Sequence, residues 1–551
     1  MAKGRQTGSR EEPMPLGEII STDVEGKNQK HLFGYEERGR TIGIERGFGY
    51  IEGLPAVTNG HFYLRVLSLT TNRSMLYDVD AARATSRLVA DIGEPDLSFV
   101  LDHEGRARFA VGANDDNEYV LYQADAKANW TAVPSERVGG KLVPFAFSPD
   151  DASVYAWFSG DARPLSLVRT NTDGTDRQML VEAGFSSVGD VLWSAAPMRP
   201  VAAWQENGIP RIRYFDADAI EARRHRAISE SFPGKIVQFI DHSEDGRMAL
   251  LLVYSDQDPG TSYLFDSDKR EVNRLFSVLE GIDPARMGAR RPIRFKAGDG
   301  LEPDGYLTIP AGAGEPSKLP MVLLPHGGPH QIGDRWRFDA GAQFLASRGY
   351  LVLQVNYRGP LGRGQRFQEA GYLQWPSRIQ DDLIDGVRWA VEQGYADPKR
   401  ICAYGASFGA YSAMMVAARA PDLFRCAAGM AGLYDLPMMY AKGDIRHQAG
   451  GRNYLRRVIG KDDATLQAGS PTTLADRIKV PVLLVHGEED QRTPLAQAKA
   501  MRAALEKAGN PTELMIVPKE GNGFYKDENN IAFYDRLGAF IDRHIGKPPA
   551  P

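Results

Sequence analysis

Hydrophobic and polar positions follow two rhythms along this chain, and the change from one to the other near residue 285 divides it. From about residue 60 to 276 short runs alternate with period two, as in His61-Phe62-Tyr63-Leu64-Arg65-Val66-Leu67 and Glu118-Tyr119-Val120-Leu121-Tyr122. Asp, Gly, Asn and Pro punctuate them, and helical periodicity is scarce. Such runs predict half-buried strands joined by tight turns. A turn followed by a β-rich run recurs at Asn59-Gly60, Glu104-Gly105, Asp150-Asp151, Ala196-Pro197 and Asp245-Gly246. The interval is roughly 45 to 49 residues, close to the four-stranded blade of a β-propeller. The apolar runs after these marks (Phe109-Ala110-Val111, Val154-Tyr155-Ala156-Trp157, Val201-Ala202-Ala203-Trp204, Leu250-Leu251-Leu252) read as inner strands. With strand material left over around 32–51, residues 26–284 supply five or six blades; an irregular all-β sandwich is the alternative. Residues 1–25 are polar and read as a disordered lead.

After residue 285 the rhythm changes. Pro292-Ile293-Arg294-Phe295 starts a hairpin with Gly305-Tyr306-Leu307-Thr308-Ile309. Continuous apolar runs then alternate with amphipathic stretches. Met321 to Leu324, Leu351 to Val355 and Val480 to Val485 read as buried strands. Ile379 to Gln393, Leu495 to Ala508 and Ile531 to Ile545 read as helices. That alternation predicts an α/β domain, a mostly parallel sheet with helices on both faces, over 285–551.

Length supports this division, since 551 residues exceed one ordinary core. A 42% hydrophobic and 25% charged composition is that of a globular protein, and a net charge of −5 with mixed signs disfavours nucleic acid as a partner. The two cysteines, Cys402 and Cys426, lie in apolar segments and make neither a disulfide framework nor a metal site. No metal and no cofactor is expected. Without an apolar leader or a membrane-length run, the sequence as written predicts a cytoplasmic protein away from membranes. A truncated N-terminus would leave the periplasm or secretion open.

Candidate chemistry sits where strands of the second half end. Ile401-Cys402-Ala403-Tyr404 runs into Gly405-Ala406-Ser407-Phe408-Gly409 and then a small-residue helical pattern. This is G-x-S-x-G in strand–turn–helix context, a nucleophile elbow. The glycines leave room for a sharp turn that exposes Ser407, and the Phe408 N–H at the helix start points where an oxyanion would form. His326-Gly327-Gly328-Pro329 follows another strand and offers Gly328 as a second oxyanion donor. His486-Gly487-Glu488-Glu489-Asp490 follows a later strand, and Asp490 is the candidate orienting acid, with Glu488 and Glu489 weaker choices. A hydrolase then needs a histidine beyond the next strand, Glu513 to Val517. The loop there reads Lys519-Glu520-Gly521-Asn522-Gly523-Phe524-Tyr525 and holds none. His544, on the last helix, is the only histidine after Asp490.

These motifs, with Asn356-Tyr357-Arg358-Gly359, resemble the prolyl oligopeptidase family of serine peptidases, in particular its acylaminoacyl-peptidase-like branch. Glu520-Gly521-Asn522-Gly523-Phe524 is similar to the family's E-G-H-G-F, with Asn522 at the catalytic histidine's place. The resemblance covers the α/β half by motif and the β half by architecture only. It implies a Ser407–Asp490 pair with Asn522 as third member, an oxyanion hole from Phe408 and Gly328, and substrate contacts from Arg358, Tyr357 and His326. Arg358 reads equally well as part of a buried structural pair. Ala410 stands where the family usually has a second glycine. The family's propellers usually carry seven blades, so this chain is short by comparison.

The expected activity is hydrolysis of short peptides, of the oligopeptidase, acylaminoacyl- or dipeptidyl-peptidase kind. The chain as written would be crippled, either as a deliberately inactivated variant or as a natural inactive relative, because Asn522 cannot act as a base. An esterase on the same fold and a non-catalytic peptide-binding relative are the alternatives. Short peptides are the expected partners, and an unpaired blade edge would make a homo-oligomer.

Overall fold

A computed structural model describes residues 3–6, 11–14, 18–34, 47–68, 71–195, 198–447 and 449–546. The chain divides into two compact units, Met1–Ala183 with Trp193–Ala203, and Gly184–Leu192 with Trp204–Pro551. Within the stretch expected to be a disordered lead, Lys3–Gln6 pairs with Glu11–Met14, and Ile19–Ser21 pairs with Lys30–Phe33.

The N-terminal region is a β-propeller of five antiparallel sheets. The first is Gly47–Gly53, His61–Ser68, Ser74–Asp80 and Thr85–Ile92. Three more are four-stranded, running from Ser98 to Ala132, Lys141 to Val181 and Ile236 to Ser277. The fourth in chain order has three strands, Val188–Trp193, Pro200–Gln205 and Arg211–Tyr214. The repeated turn marks join the first two strands of the sheets, and their chemistry repeats too. Gly105 N–H donates to Asp102 O at 3.0 Å, Asp151 N–H to Ser148 O at 2.8 Å, and Gly246 N–H to Ser243 O at 2.8 Å. Asp151 adopts the left-handed conformation without being a glycine, at φ 56°. Ala196-Pro197 lies outside the described residues. The apolar runs after the marks are interior strands, flanked on both sides in their sheets. Two helices among the described residues depart from the all-β expectation, the single turn Ser135–Val138 and a longer one. Ile220–Glu230 is a helix, tied down by buried His225, whose Nε2–H donates to Val237 O while Tyr214 OH donates to its Nδ1.

The C-terminal region is an α/β-hydrolase domain. Its strands are β1 Ala289–Arg294, β2 Asp304–Ile309, β3 Leu319–Leu323, β4 Leu351–Asn356, β5 Ala396–Ala406, β6 Cys426–Met430, β7 Val482–Gly487 and β8 Thr512–Val517. They form one sheet in the order β1-β2-β4-β3-β5-β6-β7-β8, antiparallel as far as β4 and parallel from there. The main helices are α1 Ala340–Ser347, α2 Arg378–Glu392, α3 Phe408–Arg419, α4 Ala496–Lys507 and α5 Asp527–Ile545. Successive residues of a strand point to opposite faces, and here both faces are buried. Met321, Ile401, Leu484 and their neighbours pack against α2, α3 and α4. Val322, Cys402, Leu483 and theirs pack against α1 and α5. This two-sided burial explains why the sequence shows continuous apolar runs rather than alternation.

Cys402 and Cys426 are joined in a disulfide, contrary to the sequence expectation. They are directly opposed in the β5/β6 register, both fully buried. A separation of 24 residues spans a whole crossover helix, so chain spacing alone does not show that the two side chains meet.

Two buried polar ties hold the loops at the carboxyl ends of the strands. Arg358, just after β4, makes a bidentate pair with Asp382 of α2 (2.8 and 2.6 Å) and a further bridge to Asp299 (2.8 Å). Beside it His330, in the loop after β3, donates from Nδ1 to Gly359 O at 3.2 Å and accepts at Nε2 from the Trp375 indole at 3.1 Å. Burial pushes this imidazole down from its ordinary 6.5 to about 4, with the Gly359 hydrogen bond opposing. Protonation at Nε2 would also break the Trp375 bond.

Two outcomes follow. Alkylation of the denatured, unreduced protein will label no thiol, and after reduction it will label two; labelling before reduction would remove the disulfide. Between pH 6.5 and 4 the unfolded His330 takes up a proton that the folded one refuses, so folding stability falls as pH falls through that window. The loss from this group is up to about 3 kcal/mol. Urea unfolding across this range should show a flatter profile for His330→Gln, which keeps an acceptor for Trp375 and a donor for Gly359.

Candidate active site

The site is built at the end of β5. Ser407 follows that strand directly and precedes α3, at φ 55° and ψ −118°. A non-glycine residue in that region costs on the order of 1–3 kcal/mol and persists only where the surroundings over-determine it. Here they do. The Ser407 N–H donates to Met430 O at the end of β6, at 2.9 Å. A Cβ on Gly405 would lie 2.4 Å from the Gly409 carbonyl carbon, and one on Gly409 would lie 2.2 Å from Pro325 O. Both glycines of the motif are therefore steric requirements of the turn. Ala410 is fully buried and tolerated in the helix. The turn leaves Ser407 half-exposed, and among the described residues the Phe408 N–H has no hydrogen-bond partner.

The second element is the loop after β7. Asp490 is buried, whereas Glu488 is exposed. Asp490 Oδ1 accepts from the N–H groups of Arg492 (2.9 Å) and Thr493 (2.8 Å), and Oδ2 faces the Thr493 hydroxyl at 2.8 Å. His486 braces this turn from below, its Nε2–H on Thr493 O at 2.6 Å. Burial lowers the pKa of that imidazole, so it serves as a neutral donor.

The third element is the loop after β8, and it is laid against the second. A Cβ on Gly487 would lie 2.2 Å from Gly521 O and 2.4 Å from Glu520 O, so only glycine lets the two loops meet. Glu489 N–H donates to Glu520 O at 2.9 Å. The buried Glu520 carboxylate caps its own loop, accepting from Tyr525 N–H, Lys526 N–H and Asn529 Nδ2. Desolvation acts on this carboxyl to raise its pKa, yet these donors hold it below the usual range. In this frame Asn522 Nδ2 donates to Asp490 Oδ2 at 2.8 Å and to Thr493 Oγ1 at 2.9 Å. Both amide hydrogens are thus used, and the carboxamide oxygen has no partner among the described residues. Thr493 was not singled out from the sequence. Its place three residues after the acid, at the close of an Asp-capped turn, is the signal that could have found it.

The remaining candidates surround the loop after β3. Gly328, at φ 120°, is exposed, and no hydrogen bond from its N–H occurs among the described residues. His326 stacks on Tyr357, ring centroids 4.2 Å apart, and burial pushes its imidazole down to about 4. Tyr357 is fully buried, its hydroxyl 3.0 Å from His326 O. Arg358 has its guanidinium taken up by Asp382 and Asp299. Of the residues expected to contact substrate, Tyr357 is thus fully buried and Arg358 is paired within the domain. Among the described residues no cluster of His, Cys, Asp or Glu could hold a metal, and no helix is long and apolar enough to cross a membrane.

Residues 336–548 match the model of the prolyl oligopeptidase family. The chain is 26% identical over 502 residues to dipeptidyl aminopeptidase BIII of Pseudoxanthomonas mexicana, covering 86% of this chain and 70% of that protein. It is 24% identical over 491 residues to dipeptidyl peptidase family member 6 of Caenorhabditis elegans, covering 82% and 66%. In fold it is similar to a puromycin-hydrolyzing peptidase of Mycobacterium tuberculosis, with a TM-score of 0.67 at 18% identity over 98% of this chain and 92% of that one. Residues 336–548 of the α/β-hydrolase domain thus match the prolyl oligopeptidase family, and a five-bladed β-propeller region precedes that domain in sequence.

Proposed function

We propose that this chain is a serine-peptidase scaffold for short peptides in which the general base has been replaced by an amide. Ser407 is the nucleophile, Asp490 the orienting acid, and Asn522 occupies the position of the catalytic histidine. The Phe408 and Gly328 N–H groups, both without partners among the described residues, are the oxyanion donors. The observation that carries the reading is the 2.8 Å hydrogen bond from Asn522 to Asp490, the bond an orienting acid makes to an imidazole N–H.

The consequence is chemical. A carboxamide does not titrate near neutral pH, so it cannot take the proton from Ser407 or return one to the leaving amine. Loss of the base in a serine triad costs on the order of a millionfold in turnover, leaving about a thousandfold over water from the oxyanion hole and binding. On this reading the chain as written holds short peptides and turns them over weakly. Similarity to a dipeptidyl aminopeptidase and to a dipeptidyl peptidase family member favours dipeptidyl substrates. A purely peptide-binding role is the second reading, favoured by the use of both Asn522 amide hydrogens on Asp490 and Thr493.

Asn522→His should restore hydrolysis of short aminoacyl and dipeptidyl p-nitroanilides, with a rate that rises through a pKa near 6.5, that of an imidazole. Ser407→Ala in that background should abolish it, and fluorophosphonate labelling of Ser407 should rise from poor to complete in the Asn522→His protein. A well-folded Asn522→His variant that stays inactive on both peptides and fluorophosphonate would overturn the triad assignment. Peptide binding without acyl-enzyme formation in that variant would favour the second reading.

A further inference from the structure

The chain contains three Asn-Gly steps, at residues 59–60, 207–208 and 522–523. Glycine after asparagine leaves the following amide nitrogen unhindered, so it can attack the side-chain carbonyl carbon. The three steps differ in how they are held. Asn59 Oδ1 accepts from His61 N–H at 3.0 Å, and Gly60 is fixed in a left-handed hairpin turn at φ 82°. Asn207 Oδ1 accepts from Ser186 N–H at 3.0 Å, and Gly208 is likewise left-handed at φ 84°. Asn522 is exposed, and its carbonyl oxygen has no partner among the described residues. The Gly523 N–H has none either, a Cβ on Gly523 would meet nothing within 4 Å, and this glycine is not left-handed.

We infer that Asn522 is a self-modification site, whose deamidation places a carboxylate against Asp490 and returns a titratable base to the site. The Gly523 nitrogen bonds to Asn522 Cγ and gives its proton to solvent; the Cγ–Nδ2 bond breaks and ammonia leaves. Water then opens the five-membered imide, at one carbonyl to give aspartate and at the other isoaspartate. The net change is amide plus water to acid plus ammonia, with no oxidation or reduction. The aspartate product has an oxygen where Nδ2 stood, 2.8 Å from Asp490 Oδ2. Two carboxylates at that distance resist ionising together, so the pair's second proton leaves only well above the usual carboxyl range, and the dianion formed there is the base. A carboxyl so raised can accept a proton from Ser407 near neutral pH. The second half of the inference rests on Asn522 occupying the base position; the modification itself does not.

The experiment is incubation of the folded full chain at mildly alkaline pH, with peptide mapping by mass spectrometry at all three Asn-Gly steps. Asn522 is expected to convert to acid while Asn59 and Asn207 remain amide, and in denatured protein all three should convert together. Gly523→Ala should slow conversion at Asn522 alone. An Asn522 that stays amide in the folded protein as long as Asn59 and Asn207 do would overturn the modification. Asn522→Asp should hydrolyse short peptide p-nitroanilides about a hundredfold faster than the fresh protein, the low end of what a positioned base contributes. If Asn522 converts but Asn522→Asp gains nothing while Asn522→His is active, the base half falls and the triad reading stands. If neither variant is active, the triad reading falls and the mapping result is untouched.

Discussion

Everything at the site depends on one strained residue being held open. Ser407 sits at φ 55° because β5, α3 and the end of β6 leave it no relaxed alternative. The Met430 carbonyl takes its N–H, Gly409 packs against Pro325 O, and Gly405 packs against Gly409. The strain is small beside the burial of apolar surface on both faces of the eight-stranded sheet. Its effect is to lift a hydroxyl out of a helix start and leave the Phe408 N–H unspent.

The charged groups around the elbow are held by paired partners. Buried charges are costly unless paired, and Arg358 shows the solution: its guanidinium is shared between Asp382 and Asp299. His330 and His486 are buried and His326 is partly so, and desolvation depresses the pKa of all three. They act as neutral donors and stacking surfaces that fix loops. The loop carrying Asn522 is anchored as firmly as an active peptidase would require. Gly487 admits it, Glu520 caps it, and Asp490 with Thr493 accepts both amide hydrogens.

Much of this was legible in the residues alone. Steric rules written into short spacings gave the elbow, since no bulky residue survives at Gly405 or Gly409. The period-two runs and recurring Asp/Gly turns gave the blade repeat, because a β-turn is decided by a few adjacent residues. Asp490 and Asn522 were singled out as candidates by their order after strands that end on one edge of a parallel sheet and by the E-G-x-G-F resemblance, and the structure brings the two side chains together. The two-sided burial of that sheet gave its strands as apolar runs.

Other features belong to tertiary structure, because they are made by residues far apart in sequence. The Cys402–Cys426 disulfide depends on register between β5 and β6. The roles of Tyr357 and Arg358 depend on which groups face them across the fold, and both turned inward to partners on other elements. The helix at Ile220–Glu230 is held by His225 against a strand that follows it, a contact that local periodicity does not record. Thr493 matters only because the loop after β8 folds back over the loop after β7. Local chemistry and chain order determined which residues could react; packing alone decided which of them were already spoken for.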